Sequence, residues 1–365
     1  MKKGIICLLL LVIANTSMLA QQQAGRWPEQ KIWDWYNRQP WYCGFNYIPG
    51  YAINYTAMWD KTSFNPTAID KELALAEGLG LNCLRAVLQF AVYEDDPKYF
   101  LNTLDKFLAI CNKHKIKFMP ALFDDCVFGL EHDPKVGKQP EPLVGWYAWA
   151  WSPSPGHRLV IDSTKHHRIE KYVKAVMTRF KNDDRIFIWD LYNEPTNGGL
   201  GNTSLPLLSK VIKWAREVQP VQPITVGVWN GNKRLNEMAI SGSDIVSFHN
   251  YGKKADLVKH ISDLKQYNRP LINTEWMNRG AGSVIEDNLT VFFSEKVGCM
   301  LWGLVNGKTQ TDLPWGHRPG DPASAVWQHD LYKKDFTPYS QKELGLLKDH
   351  IEQSKKETYL NEHRH

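Results

Sequence analysis

The chain has 365 residues, 43% of them hydrophobic and 23% charged, with a net charge of +5. That length suits one α/β barrel or two small domains and is long for a single sandwich. The mild, dispersed positive charge marks no nucleic-acid partner.

The N-terminus reads as a targeting segment. Lys2 and Lys3 precede the apolar run from Ile5 to Ala14, and Ala20-Gln21 fits a cleavage point. The run is too short to span a bilayer. Cys7 lies inside it, so no lipid-attachment cysteine stands at the cut. The expected organisation is a signal peptide over 1–20 and one domain over 21–365, exported, with no membrane span once the signal is removed. Five cysteines then remain: Cys43, Cys83, Cys111, Cys126 and Cys299. They form no CxxC pair and no zinc spacing, so neither a disulfide framework nor a zinc site is expected. The 15 tryptophans suit stacking against sugar rings as well as core packing.

Gln21 to Gln39 is a polar and aromatic lead-in. Trp41 to Ile48 is the first predicted strand, and Thr67 to Gly80 the first helix, with glycine at its end. Leu81 to Leu88 is strand two and carries Arg85. Lys98 to His114 is helical. Ile116 to Leu122 is strand three, closed by Phe123-Asp124-Asp125. A proline-rich irregular segment, Cys126 to Ser163, holds Trp146, Trp149 and Trp151; loops this long are often functional. Lys165 to Phe180 is an amphipathic helix.

Arg185 to Tyr192 is strand four, an apolar, β-branched and aromatic run of the kind buried on both faces of a parallel sheet. It stops at Asn193-Glu194-Pro195, because proline cannot donate a ladder bond and disfavours helix before it. Ser204 to Val218 is helical and Pro223 to Trp229 is strand five. A short polar segment leads to strand six, Asp244 to Phe248, followed by His249-Asn250-Tyr251. Lys253 to Tyr267 is helical. Pro270 to Thr274 is strand seven, followed by Glu275-Trp276. Val284 to Val297 is helical, and Cys299 to Val305 is strand eight, carrying Trp302. A second long loop runs from Asn306 to Tyr339, and a last helix covers Gln341 to Gln353.

Eight alternating β and α units predict a closed parallel (β/α)8 TIM barrel with long loops after strands three and eight. The competing open doubly wound sheet wants a Gly-rich phosphate turn after strand one, and Cys43-Gly44-Phe45-Asn46 is not one. In such a barrel the C-terminal strand ends form the active site. Asn46, Arg85, Asp124, Asn193, Glu194, His249, Tyr251 and Glu275 all fall there. Arg85, on an otherwise apolar strand, needs a carboxylate, and Glu275 is the obvious one. Glu194 and Glu275 face each other across the mouth. Glycoside hydrolysis needs such a pair: one carboxyl protonates the leaving oxygen, and the other attacks or activates water.

On these residues the chain resembles the retaining β-glycosidases of glycoside hydrolase clan A, especially cellulase-type family 5. The resemblance rests on N-E-P ending strand four, Glu275 in I-N-T-E-W, Arg85 in N-C-L-R, His249 and Tyr251 after strand six, and Trp302 in L-W-G. It implies that Glu194 is the general acid/base and Glu275 the nucleophile. Asn193 would contact the sugar's 2-hydroxyl, Arg85 and Tyr251 would hold Glu275 ionised, and Trp302 would floor the central subsite. Asn46, Asp124 and His249 complete the candidate substrate-binding set. Glu194 would need a less polar setting to stay protonated. The sequence departs from the family where strand three commonly ends in histidine and here reads Phe123-Asp124.

The implied partner is an oligo- or polysaccharide, with no cofactor and no metal. An arabinofuranosidase on the same barrel is an alternative. A non-catalytic glycan-binding barrel would lack one glutamate, and a metal-dependent barrel hydrolase would want a histidine pair where Asn46 and Tyr47 stand. Acidic stretches at Asp124-Asp125 and Glu94-Asp95-Asp96 are expected to be solvated.

Overall fold

The structure, a computed structural model, describes residues 25–362, with side chains described to 357. The predicted signal peptide lies outside these residues. Eight strands run in parallel: β1 (Cys43–Asn46), β2 (Cys83–Val87), β3 (Lys117–Ala121), β4 (Trp189–Asp190), β5 (Ile224–Thr225), β6 (Val246–His249), β7 (Leu271–Trp276) and β8 (Gly298–Trp302). Their order is β5-β4-β3-β2-β1-β8-β7-β6. The remaining seam, between β5 and β6, is closed beyond β5 by a parallel bridge from Val228 to Phe248. There Val228 N–H donates to Ser247 and His249 N–H to Val228. The (β/α)8 barrel expected from the sequence is therefore the fold.

Local chemistry sets the helix boundaries. Asn65 caps the helix Pro66–Leu79 by accepting from Ala68 N–H, proline occupies its first turn, and Gly80 ends it at φ +83°. Short segments hide from pattern reading. The lead-in contains the helix Glu29–Asn37, and the polar stretch before β6 contains Lys233–Gly242, capped by Asn232. Few of their residues are buried, Ile32 in the first and Leu235, Ala239, Ile240 and Gly242 in the second, so their apolar stripes are thin. Strand four is also shorter than expected, two ladder residues where eight were predicted.

The first of these helices closes the barrel floor. Trp27 and Ile32 pack with Tyr42, Met119, Phe187, Ile188, Ile245, Ile272 and Met300 in a core separate from the main one. Asp244 fixes it in place by accepting from Trp27 N–H at 2.7 Å. The cavity that holds Glu194 and Glu275 opens at the C-terminal ends of the strands. All five cysteines among the described residues are free and buried.

Candidate active site

Arg85 is the centre of the mouth. It is 2% exposed and points up the barrel from β2. Its Nε donates to Asp190 Oδ2 at 2.8 Å, and Nη1 donates to Asn46 Oδ1 at 2.9 Å and to Glu275 Oε1 at 2.8 Å. Nη2 donates to Asn193 Oδ1 at 2.6 Å. A buried guanidinium is stable only with partners of this kind, and two carboxylates supply the countercharge. Their attraction outweighs the opposing effect of burial and raises its pKa above the ordinary value.

Glu275 lies on β7 itself, one residue inside the end of the strand. Oε2 accepts from the Tyr251 hydroxyl at 2.7 Å. Each oxygen of Glu275 thus has a donor, Arg85 from β2 and Tyr251 from just beyond β6.

Glu194 follows β4 in a tight turn. Its φ is +41° and that of Thr196 is +83°, a region that non-glycine residues seldom occupy. Thr196 N–H donates to Asp125 Oδ2 at 2.9 Å and to the Ser204 hydroxyl at 2.8 Å, and these bonds hold the turn. Glu194 Oε1 accepts from His249 Nδ1 at 2.8 Å. Oε2 accepts from Asn197 Nδ2 at 2.6 Å and from the Cys126 thiol at 3.2 Å. Burial pushes the Glu194 carboxyl up, but these donors, His249 foremost, outweigh it and hold it below its usual value. Burial likewise opposes the His249 imidazolium, but Glu275 and Glu194 together raise it above normal. His249 Nδ1 and Glu194 thus share a short hydrogen bond that lowers the carboxyl and raises the imidazole, while Nε2 of the same buried ring has no hydrogen-bond partner. The less polar setting expected around Glu194 is not the one it has, because an imidazole faces the carboxylate.

One oxygen of each glutamate and one ring nitrogen of His249 all lie within 4.8 Å of one another. The cavity above them has a volume of 460 Å³ and is walled by Tyr55, Phe128, Tyr147, Trp151, Trp229, Trp302 and Trp315. Trp302 packs against Trp151 and stacks on His329. Of the loop tryptophans, Trp151 reaches the cavity, while Trp146 and Trp149 pack against each other.

Arg85, Asn193, Glu194, His249, Tyr251, Glu275 and Trp302 line this cavity, as expected. Asn46 and Asp124 do not. Both are buried beneath it, at 0% and 1% exposure. Asn46 receives Arg85 and donates to the Thr274 carbonyl at 2.7 Å. Asp124 accepts from Asn193 Nδ2 at 2.8 Å and from Trp151 Nε1 at 2.8 Å. Their side chains hold the residues that line the site and have no free face for a sugar. Asp124 and Asp125 are also not solvated: burial pushes their carboxyls up to about 6 and about 7. The Glu94–Asp96 stretch does lie near the surface, pairing with Arg168 and Lys61 and capping the helix Pro97–Lys113.

The sequence reading missed Asp190, Cys126 and Asn197. Asp190 was open to the rule applied to Arg85, since a charge inside an apolar strand needs a partner. Cys126 and Asn197 carried no such signal. A cysteine in a loop and an asparagine in a turn have common structural explanations.

Two carboxylates and an aromatic cavity at the C-terminal mouth of a (β/α)8 barrel are an arrangement that glycoside hydrolysis can use. The sequence matches the cellulase family, glycosyl hydrolase family 5, over residues 48–312, and the chain belongs to that family. Solved structures similar to it include the exo-β-1,4-mannosidase Op5Man5 from Opitutaceae bacterium strain TAV5, at 16% identity and a TM-score of 0.60. That match covers 86% of this chain and 60% of the mannosidase, so the chain spans well under two thirds of that protein's length. An endo-β-1,4-mannanase from Thermotoga petrophila matches at 14% identity and a TM-score of 0.55, covering 87% of this chain and 78% of the other. GH5_18 from Streptomyces cattleya, solved with GlcNAc, matches at 12% identity and 0.58, covering 87% and 81%. These likenesses concern the fold. No curated protein matches the sequence.

Proposed function

We propose that the protein is an exported retaining β-glycosidase that removes terminal neutral sugars from short or chain-end β-glycosides by double displacement. The observation that carries this reading is the pairing of Glu194 and Glu275. Oxygens of the two lie within 4.8 Å, which suits the retaining separation of about 5–5.5 Å rather than the inverting one of about 6.5–9.5 Å. Glu275, fixed by Arg85 and Tyr251, attacks the anomeric carbon. Glu194, with His249 as its proton reserve, protonates the departing oxygen and then deprotonates water. Asn193 Nδ2 donates to Asp124 and approaches Cys126 Sγ at 3.5 Å, a weak contact that a sugar hydroxyl can replace.

The terminal-sugar assignment rests on the two long loops. They meet over the mouth: Tyr147 N–H donates to the His317 carbonyl at 3.1 Å and Ala148 N–H to Thr309 at 2.9 Å. Gln310 Nε2 donates to Leu143 and Trp146, and Arg318 lies over the Trp146 ring. β3 and β8 flank β2 and β1 in the sheet, so this seam walls off that side of the mouth. The neutral-sugar assignment follows from charge. Arg85 is the one Lys or Arg among the residues lining the cavity, and its donors are committed. The cavity thus offers a uronic acid carboxylate no uncommitted lysine or arginine.

The mannoside-acting neighbours put β-mannosides first in a substrate panel, followed by β-glucosides, β-xylosides and arabinofuranosides. The expected products from an oligosaccharide are monosaccharide and a chain shortened by one unit. Random mid-chain cuts with a rapid fall in viscosity would reject the pocket reading. Export is tested by fractionation and by the mass of the mature N-terminus, expected to begin near Gln21.

A further inference from the structure

Glu194 Oε2 is held by two residues that neither the family resemblance nor the charge pattern of the sequence singles out. Asn197 Nδ2 donates to it at 2.6 Å and the Cys126 thiol at 3.2 Å. The two donors also touch each other, with Asn197 Nδ2 at 3.2 Å from Cys126 Sγ. Asn193 Nδ2 approaches the same sulfur at 3.5 Å. Cys126, Asn193 and Asn197 all line the cavity. Asn197 is further locked to the turn it serves: its N–H donates to the Glu194 carbonyl at 3.1 Å, and its Oδ1 accepts from Gly198 N–H at 2.6 Å.

We propose that Cys126 and Asn197 form a two-donor clamp on Glu194, making them positioning residues for the proton-transfer step. This rests on the assignment of Glu194 as the acid/base. The clamp does two things. It fixes the rotamer of a carboxylate carried on a turn with positive φ, and it stabilises the anion that must exist after the proton has left.

The thiol can serve as a donor because it stays protonated. Burial raises its pKa well above normal, and Asp124, Glu194 and Glu275 raise it further. The charged or titratable groups around Glu194 are Arg85 from β2, Asp124, Asp125 and Cys126 from the segment after β3, His249 from β6, Tyr251 just beyond it, and Glu275 from β7. None of these but Cys126 and His249 donates to the Glu194 carboxylate, so the clamp is separable from the rest.

The sign of the effect follows. Donors to the ionised form favour it, so removing one makes the Glu194–His249 pair hold its proton to higher pH. In kcat/KM measured on a glycoside with a poor leaving group, the basic limb should move upward by about half a unit to one unit in Cys126→Ala and in Asn197→Ala. Cys126→Ser keeps a donor, and its limb should stay at or below the wild-type position. A purely structural role would lower kcat without ordering the limbs in this way, and serine would then behave as badly as alanine. Basic limbs in folded Cys126→Ala and Asn197→Ala that coincide with the wild-type limb would overturn the clamp. So would a Cys126→Ser limb that moves up with alanine. If Cys126→Ala fails to fold, Asn197→Ala, on a half-buried loop side chain, decides the question. Glu194→Ala is run in parallel. If it keeps full activity on poor leaving groups, the acid/base assignment fails. If it behaves as an acid/base variant while the limbs stay put, the clamp alone fails.

Discussion

Replacing Arg85 by methionine tests the electrostatic centre of the site with little change in volume. The guanidinium is 2% exposed and pairs with Asp190 at 2.7 Å and Glu275 at 2.8 Å, both also buried. The variant leaves those two carboxylates facing each other without a cation, and deprives the Asn46 and Asn193 oxygens of their donor. Breaking a buried pair from one side costs about 3–5 kcal/mol. Unfolding entropy of about 2.1 cal/mol/K per residue gives this chain roughly 0.8 kcal/mol/K, so the melting temperature should fall by about 4–6 °C. The loss should shrink on acidification. With the cation gone, two buried carboxylates are left uncompensated in the folded state, and taking up a proton relieves that there but not in the unfolded chain. The folded state then binds more protons than the unfolded state, and stability rises as pH falls towards the unfolded carboxylate range. Thermal melts at pH 7 and pH 5, wild type against variant, measure both quantities. A loss at pH 7 that persists undiminished at pH 5 would show that desolvated charge is not the cause. Unchanged stability with unchanged activity would remove Arg85 from the centre of the site.

The two glutamates should respond differently to alanine. Glu194→Ala should retain turnover on an aryl glycoside with a good leaving group, and azide should partly rescue it with a β-glycosyl azide product. Glu275→Ala should lose activity on all leaving groups, any azide product having inverted configuration, and the opposite pattern would exchange the roles. Activity should survive exhaustive chelation; a large loss with EDTA restored by calcium or zinc would move a metal-dependent reading ahead. Burial raises the Glu72 carboxyl to about 7, against Tyr47 and Gly50 donors that lower it. Wild-type stability should therefore decline as pH rises through 7, and Glu72→Gln should flatten that decline by one proton's contribution; identical slopes in urea melts across pH 6–8 would contradict the assignment.

The barrel was legible because its strands are buried on both faces and read as apolar runs, each interrupted by a polar residue at its C-terminal end. Arg85 and Glu275 could be paired on the page because an isolated charge in such a run needs a countercharge. The helices Glu29–Asn37 and Lys233–Gly242 were not legible: one is mainly polar and aromatic, the other polar, and each is fixed by tertiary contacts that sequence periodicity does not register. The distinction between lining and support was also hidden. Asn46 and Asp124 sit at strand ends like the rest, but side-chain direction places them below the cavity. The imidazole facing Glu194 was hidden because His249, its neighbour in space, lies 55 positions away in sequence.

That neighbour gives the site its charge logic. In the ligand-free state Arg85 and His249 face Asp190, Glu275 and Glu194. In the proposed first step Glu275 loses its charge on bonding to the sugar, and the Glu194–His249 pair loses one proton to the leaving oxygen. The net charge does not change. One negative charge has moved from the nucleophile to the acid/base. His249 Nδ1 lies 2.8 Å from Glu194 and 3.5 Å from Glu275, so the imidazole is in contact with the negative charge at both ends of the step. Arg85 touches only the nucleophile end of this pair and cannot follow the charge. A fixed cation for Glu275 and a titratable group between the two carboxylates therefore have separate tasks. The first orients the nucleophile, and the second keeps the acid/base supplied with a proton before bond cleavage and receptive to one afterwards.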